Sequence, residues 1–285
     1  MAARRRRRRD KQKAARHTQV GDQYVDAFRL HDAIRSYETA MAFDKDNAGI
    51  HLRLADAYFA AEMPSKAYRA YKQALLIHPK NAECHFALAE FLMGVQRVRL
   101  AILAFERAIR CDPLREYFHC RLGEAHLRLG DREGAESSLN EAVRLAPDDA
   151  YYHYRLADAC FRWERWQEAE DSYRRAIDCA PLDDFYQICL AATCLRQDKT
   201  EQALHTFRRA VILRPRNFSY RYLLAWMLDR TGCADDAAEC YRRAGELNPY
   251  DEDYVYRVWV KAGVAEADGS DLEWDKEEHS RRPPW

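Results

Sequence analysis

Nowhere in the 285 residues is there a run approaching the roughly 18 apolar positions that a membrane-crossing helix requires. An integral membrane segment is therefore not expected. The arginines near the start are followed by the polar stretch DKQKAARHTQ, so the apolar segment of a secretory leader is missing as well. Net charge is lacking: 46 basic residues stand against 46 acidic ones, which argues against a body that binds nucleic acid wholesale. Recognisable reaction chemistry is absent too. There is no glycine-rich phosphate loop, no Ser/His/Asp set and no Cys-x-x-Cys pair, so no catalytic residue, cofactor or metal site is expected. The nine cysteines show no disulfide-like framework, and the nearest pair in the later part of the chain, Cys189 and Cys194, lacks metal-ligand spacing. They read as small core residues in a reducing cytoplasm.

What the chain has instead is a beat. Pro79, Pro113, Pro147, Pro181, Pro215 and Pro249 recur every 34 residues without a slip. A fixed period in the 20–50 range means stacked modules rather than one globular core. Seven units start near Ala14, Ala48, Ala82, Glu116, Ala150, Asp184 and Phe218. In each, apolar residues three and four apart predict a first helix of about 14 residues, as with Leu156, Ala157, Cys160 and Phe161. A short turn follows, and then a second helix with an Ala-x-x-x-aromatic-x-x-Ala face, such as Ala169, Tyr173 and Ala176. Small alanines let helix axes approach to roughly 8–10 Å. Proline ends the unit, and Asn or Asp just beyond it caps the next helix.

These residues resemble the tetratricopeptide repeat family, whose pattern runs Trp-x2-Leu-Gly-x2-Tyr, then Ala-x3-Phe, then Pro. The first unit reads His17-x2-Val20-Gly21-x2-Tyr24, then Ala33-x3-Tyr37, and the fourth reads His119-x2-Leu122-Gly123. The resemblance implies an all-α, right-handed α-solenoid of seven helix-turn-helix repeats over 16–249. A capping helix is expected over 250–263, between a disordered arm at 1–15 and a disordered acidic tail at 264–285. Such a protein is a non-catalytic adaptor or scaffold that binds a protein or peptide ligand in a concave groove lined by the first helices.

Histidine fills the usual Trp slot in five consecutive units: His17, His51, His85, His119 and His153. Zinc needs ligand nitrogens roughly 2.0–2.1 Å from one ion, whereas equivalent residues of stacked helices start about 8–10 Å apart. The ladder therefore reads as packing, with one ring nitrogen kept polar. Five residues further on lie Asp22, Asp56, Glu90, Glu124 and Asp158; Arg53, Arg121 and Arg155 sit three residues before an acid, Arg128 and Arg162 four after one, and the same slot holds Arg196 and Arg230 in later units. The resemblance places these charges in the groove, acidic in its first half and more basic in its second. For contact we expect Phe86, Tyr117, Tyr151, Tyr154, Phe185 and Tyr222, because rings give large area at little entropic cost. Glu124, Asp158, Arg162 and Arg196 would then orient the peptide. The Lys and Asn clamp of the chaperone-tail binders is missing, since Leu52, Phe86, Cys120 and Tyr154 stand in its slots.

The alternative function lies in Arg4, Arg5, Arg6, Arg7, Arg8 and Arg9. With Lys11, Lys13 and Arg16 against the single Asp10, the start of the chain carries a net charge of +8. Such a run binds nucleic acid or another polyanion by charge alone. It could also fold back over Asp22, Asp56 and Glu90.

Overall fold

The computed structural model describes residues 2–245, and all of their regular structure is helical. The expected capping helix and acidic tail lie outside the described residues. Fourteen helices alternate between a first (A) and a second (B) member of each pair. The A helices are α1 (Ala2–Asp26), α3 (Ala48–Ala60), α5 (Ala82–Gly94), α7 (Glu116–Leu129), α9 (Ala150–Arg162), α11 (Asp184–Arg196) and α13 (Phe218–Arg230). The B helices are α2 (Leu30–Phe43), α4 (Pro64–Ile77), α6 (Val98–Cys111), α8 (Arg132–Leu145), α10 (Trp166–Cys179), α12 (Thr200–Leu213) and α14 (Ala234–Gly245). They fall into two compact units divided between Ala146 and Pro147, the first holding α1 to α8 and the second α9 to α14.

Each A helix packs on its own B helix, and within a unit each B helix packs on the next A helix. The alanines set the spacing. Ala33 and Ala40, Ala101 and Ala108, Ala169 and Ala176 are wholly buried, and Tyr37, Phe105 and Tyr173 fill the space between each pair. At Gly123 the approach is closer still: a β-carbon there would lie 2.7 Å from Leu139 Cγ. Helices this short are marginal alone, so their stability comes from this buried face. Five of the A helices begin with an Asn or Asp side chain accepting a backbone N–H of the first turn: Asn47, Asn81, Asp149, Asp183 and Asn217.

The A-to-B turn is the same in all seven pairs. Its central residue is left-handed: Phe28, Glu62, Gln96, Gly130, Glu164, Asp198 and Gly232, one every 34 residues. The N–H before the B helix reaches back five residues, as in Met63 to the Tyr58 carbonyl (2.8 Å), while the left-handed residue's own N–H reaches back three, as in Glu62 to Phe59 (3.0 Å). Together these two bonds satisfy carbonyls that the helix end would otherwise leave orphaned.

Histidines close the other side of the repeat. His51 Nε2 donates to the Lys45 carbonyl (2.9 Å), His85 to Pro79 (2.9 Å), His119 to Pro113 (3.0 Å) and His153 to Pro147 (2.8 Å). A carbonyl only accepts, so each Nε2 carries the proton. In the last pair Arg221 occupies the slot, and its Nε–H donates to Pro215 (2.9 Å). The ladder is a row of latches to the preceding loop.

One expectation is corrected at the start of the chain. Residues 2–15 are not a loose arm but the beginning of α1, a single helix that continues to Asp26. Arginine, lysine and alanine are all good helix formers, and no Gly or Pro intervenes before Gly21. A fold-back over Asp22 is thereby excluded within this helix: at 1.5 Å per residue, Arg9 stands about 20 Å along the axis from Asp22.

In the second unit a buried carboxylate ties α10 to the turn after α11. Glu170 is 1% exposed; it accepts from Lys199 Nζ (2.7 Å) and Gln197 Nε2 (2.7 Å) and pairs with Arg174. Burial opposes its charge, but Lys199, Gln197 and Arg174 outweigh it and hold the carboxyl below its ordinary value of 4.5. A depressed folded-state value means stability that is present above about pH 4.5 and lost as pH falls through the lower value. Glu170→Gln should flatten that acid limb in a series of denaturant titrations from pH 6 to 3; an unchanged limb would mean the cluster adds nothing. Glycine at a left-handed position should act in the opposite sense. Gln96→Gly relieves a steric cost of about 1 kcal/mol and should raise the denaturation midpoint, whereas a drop would show the turn is not strained there.

Candidate peptide-binding faces of the two units

The face formed by the A helices carries most of the charged and aromatic residues singled out in the sequence. In the first unit, its acids are drawn into internal contacts. The Tyr37 hydroxyl donates to Asp22 (2.7 Å), and the Tyr71 hydroxyl donates to Asp56. Burial and the neighbouring carboxylate push both phenols above their ordinary value. Arg53 bridges back to Asp22 (3.1 Å). Arg121 grips Glu90 with two nitrogens (2.8 and 2.6 Å) and also pairs with the buried Glu124. Burial alone would weaken the Arg121 charge, but the two glutamates reverse that and raise its pKa. Glu124 is thus a fixed acceptor inside a network rather than a free orienting charge.

A cleft of about 350 Å³ opens on the first unit beside Asp22, Asp26 and Asp56, with Arg53 as its one cation and Val25, Leu30 and Ala57 as apolar wall. Phe86 lies half-buried in a cluster with Phe118 (4.7 Å), Tyr117 (5.4 Å) and Phe105 (5.5 Å). Of these, Tyr117 keeps 42% of its surface exposed.

The second unit differs. Asp158 is 2% exposed and paired with Arg162 (2.9 Å), whose own side chain is exposed. Further along this helix position the acid gives way to Ala192 and then Trp226. The arginine four residues on is retained: Arg230 stacks on Trp226 (5.0 Å), and Arg196 stacks on Trp166 (4.9 Å). Tyr154 is partly buried among Phe185 (5.2 Å), Tyr186 (5.6 Å) and Tyr173 (6.3 Å). Tyr222 packs on Tyr241 (5.3 Å). Tyr151, 38% exposed, lies at the edge of this group with Arg155 6.0 Å from its ring.

The structure therefore brings Phe86 with Tyr117, and Tyr151, Tyr154 and Phe185 together; Tyr222 packs on the same core cluster as Tyr154 and Phe185, and most of the rings are covered. Sequence reasoning missed the two stacked Arg–Trp pairs. Trp226 carried a signal, since it breaks the acid column at a known position, but Trp166 sits on a B helix and meets Arg196 only through the fold.

Among the described residues no cluster of His, Cys, Asp and Glu could hold a metal ion, and no helix is long and apolar enough to cross a membrane.

Two profiles of the tetratricopeptide repeat match the chain, one at residues 120–184 and 194–252 and the other at 48–91, together more than half of its length. The chain belongs to the tetratricopeptide repeat family. No curated protein matches it in sequence. Solved structures of this architecture match well in fold. The C-terminal part of a TPR repeat-containing protein from Cytophaga hutchinsonii covers 85% of this chain and 98% of its own, with a TM-score of 0.68 at 14% identity. PilF of Pseudomonas aeruginosa covers 76% of this chain and 98% of its own (TM-score 0.59, 18% identity). YrrB, described as a TPR protein with an unusual peptide-binding site, covers 63% and 92% (TM-score 0.51, 18% identity). At these identities the likeness is one of fold.

The Arg121 network yields a stability prediction. Arg121→Ala removes the two-pronged partner of Glu90 and one partner of the buried Glu124, which should cost about 1.5–3 kcal/mol in a urea titration. A loss below about 0.5 kcal/mol would place the network among weak surface pairs.

Proposed function

We propose that this tetratricopeptide repeat protein is a non-catalytic interaction scaffold whose A-helix faces each capture a peptide segment. The observation that carries the reading is the exposure of Tyr117 and Tyr151. Each is a large ring left open to solvent at the start of an A helix, on a bed of partly buried aromatics. A fully buried ring contributes roughly 1.5–3 kcal/mol, several times a surface ion pair, so these rings supply affinity. Charge supplies the choice of segment. Three carboxylates around one guanidinium in the first-unit cleft suit a lysine or arginine side chain. The exposed Arg162, Arg196 and Arg230 of the second unit suit an acidic stretch. The peptide-binding site in YrrB's description is in keeping with this use of the repeat. Cysteines held as thiols rather than disulfides among the described residues fit a reducing, cytoplasmic setting; burial pushes the Cys194 thiol up to about 11, which keeps it inert.

Peptides selected from a displayed library on the intact chain provide the test. Tyr117→Ala or Tyr151→Ala should weaken the selected peptides by about tenfold, worth about 1.4 kcal/mol, and leave the denaturation midpoint in place. Tyr154→Ala, by contrast, should lower the midpoint, because its ring is part of the packing. Selected peptides indifferent to both exposed tyrosines would sink the proposal.

A further inference from the structure

The six arginines have no place in peptide capture, yet the fold gives them a defined geometry. They belong to α1, and every side chain from Arg4 to Arg9 is exposed. The first buried side chain of the helix is Ala14, which packs against Ala40 and Ile50. Residues 4–13 therefore form a helical stem about 15 Å long ahead of the first buried contact. Successive residues turn by about 100° around the axis, so six arginines with Lys11 and Lys13 leave no side of the stem neutral. No apolar residue interrupts positions 4–13.

We infer that this stem binds double-stranded DNA, lying in the major groove and contacting phosphates on both walls. Three features favour this occupant. The cations face all directions, which suits a groove walled by two phosphate strands; a flat anionic membrane would meet only one side. The stem also lacks the apolar stripe by which an amphipathic helix enters a bilayer. A helix with its side chains is about 10–12 Å across, close to the roughly 12 Å width of the B-form major groove, while the A-form groove is too narrow. Guanidinium groups are suited to two-pronged contacts with phosphate.

The same charges set the binding in motion energetically. Arg4 and Arg8, Arg5 and Arg9 are like-charged neighbours four residues apart, and all six crowd the positive end of the helix dipole. Phosphates relieve both penalties, so binding stabilises the stem helix. The interaction goes beyond peptide capture and does not depend on it.

Fluorescence anisotropy of a labelled 20-base-pair duplex with the full chain tests the inference. Affinity should fall by about a thousandfold between 50 and 200 mM salt, the dependence expected for about six phosphate contacts. Replacing Arg4 to Arg9 together by Gln, which preserves helix propensity, should abolish binding at 50 mM salt. Arg4, Arg6 and Arg8→Gln should halve the slope of log affinity against log salt. Circular dichroism should show the parent chain's helix persisting to higher temperature when duplex is added, and no such shift for the six-fold variant. The inference is overturned if parent and six-fold variant bind the duplex equally, or if binding survives 200 mM salt undiminished. It is also overturned if duplex RNA of the same sequence or anionic phosphatidylserine vesicles capture the chain more tightly than the DNA.

Discussion

Close approach between paired helices is the constraint on which the rest of the structure depends. Wholly buried alanines such as Ala101 and Ala108 bring the A and B axes together, and an aromatic such as Phe105 then fills the remaining volume. With axes that near, the turn must reverse the chain within very few residues. The left-handed residue and its two reaching hydrogen bonds are the solution, repeated in all seven pairs. The histidine latches follow from the same geometry, because a slot that packs beside the preceding loop carbonyl needs an N–H donor.

The beginnings of α3, α5, α7, α9, α11 and α13 at Ala48, Ala82, Glu116, Ala150, Asp184 and Phe218 were legible because the apolar spacing and the 34-residue beat point to the same positions, reinforced in all but α7 by an Asn or Asp cap. The left-handed turn residues were not. Nothing in the identity of Phe28, Gln96 or Glu164 announces such a conformation, which is imposed by the pairing of the two helices it joins. The stem was misjudged for a related reason. Its charge density suggested disorder, whereas its residues are individually good helix formers continuing a packed helix.

The binding faces were legible in type and less so in detail. That rings and charges would gather on the A helices could be read from periodicity; which of them remain open could not. Tyr154 and Tyr151 are three residues apart and chemically identical, but one is covered by Phe185 and Tyr186 and the other is exposed. The pairing of Glu124 with Arg121 and of Asp158 with Arg162 was legible from helical spacing, whereas the second grip of Arg121 on Glu90, 31 residues away, was not. The rings that cover Tyr154 come from the next repeat, at a separation that no local window contains.

Because each helix packs on its neighbours along the chain within its unit, closing any such contact involves loops little longer than one repeat. Chains of such low contact order assemble rapidly and can come apart piecemeal from an end. A guest lying across several A helices of a unit would act as a splint, joining modules that otherwise touch only in succession. Its grip would then be felt as cooperativity, with pairs that fray one at a time when empty opening together when occupied.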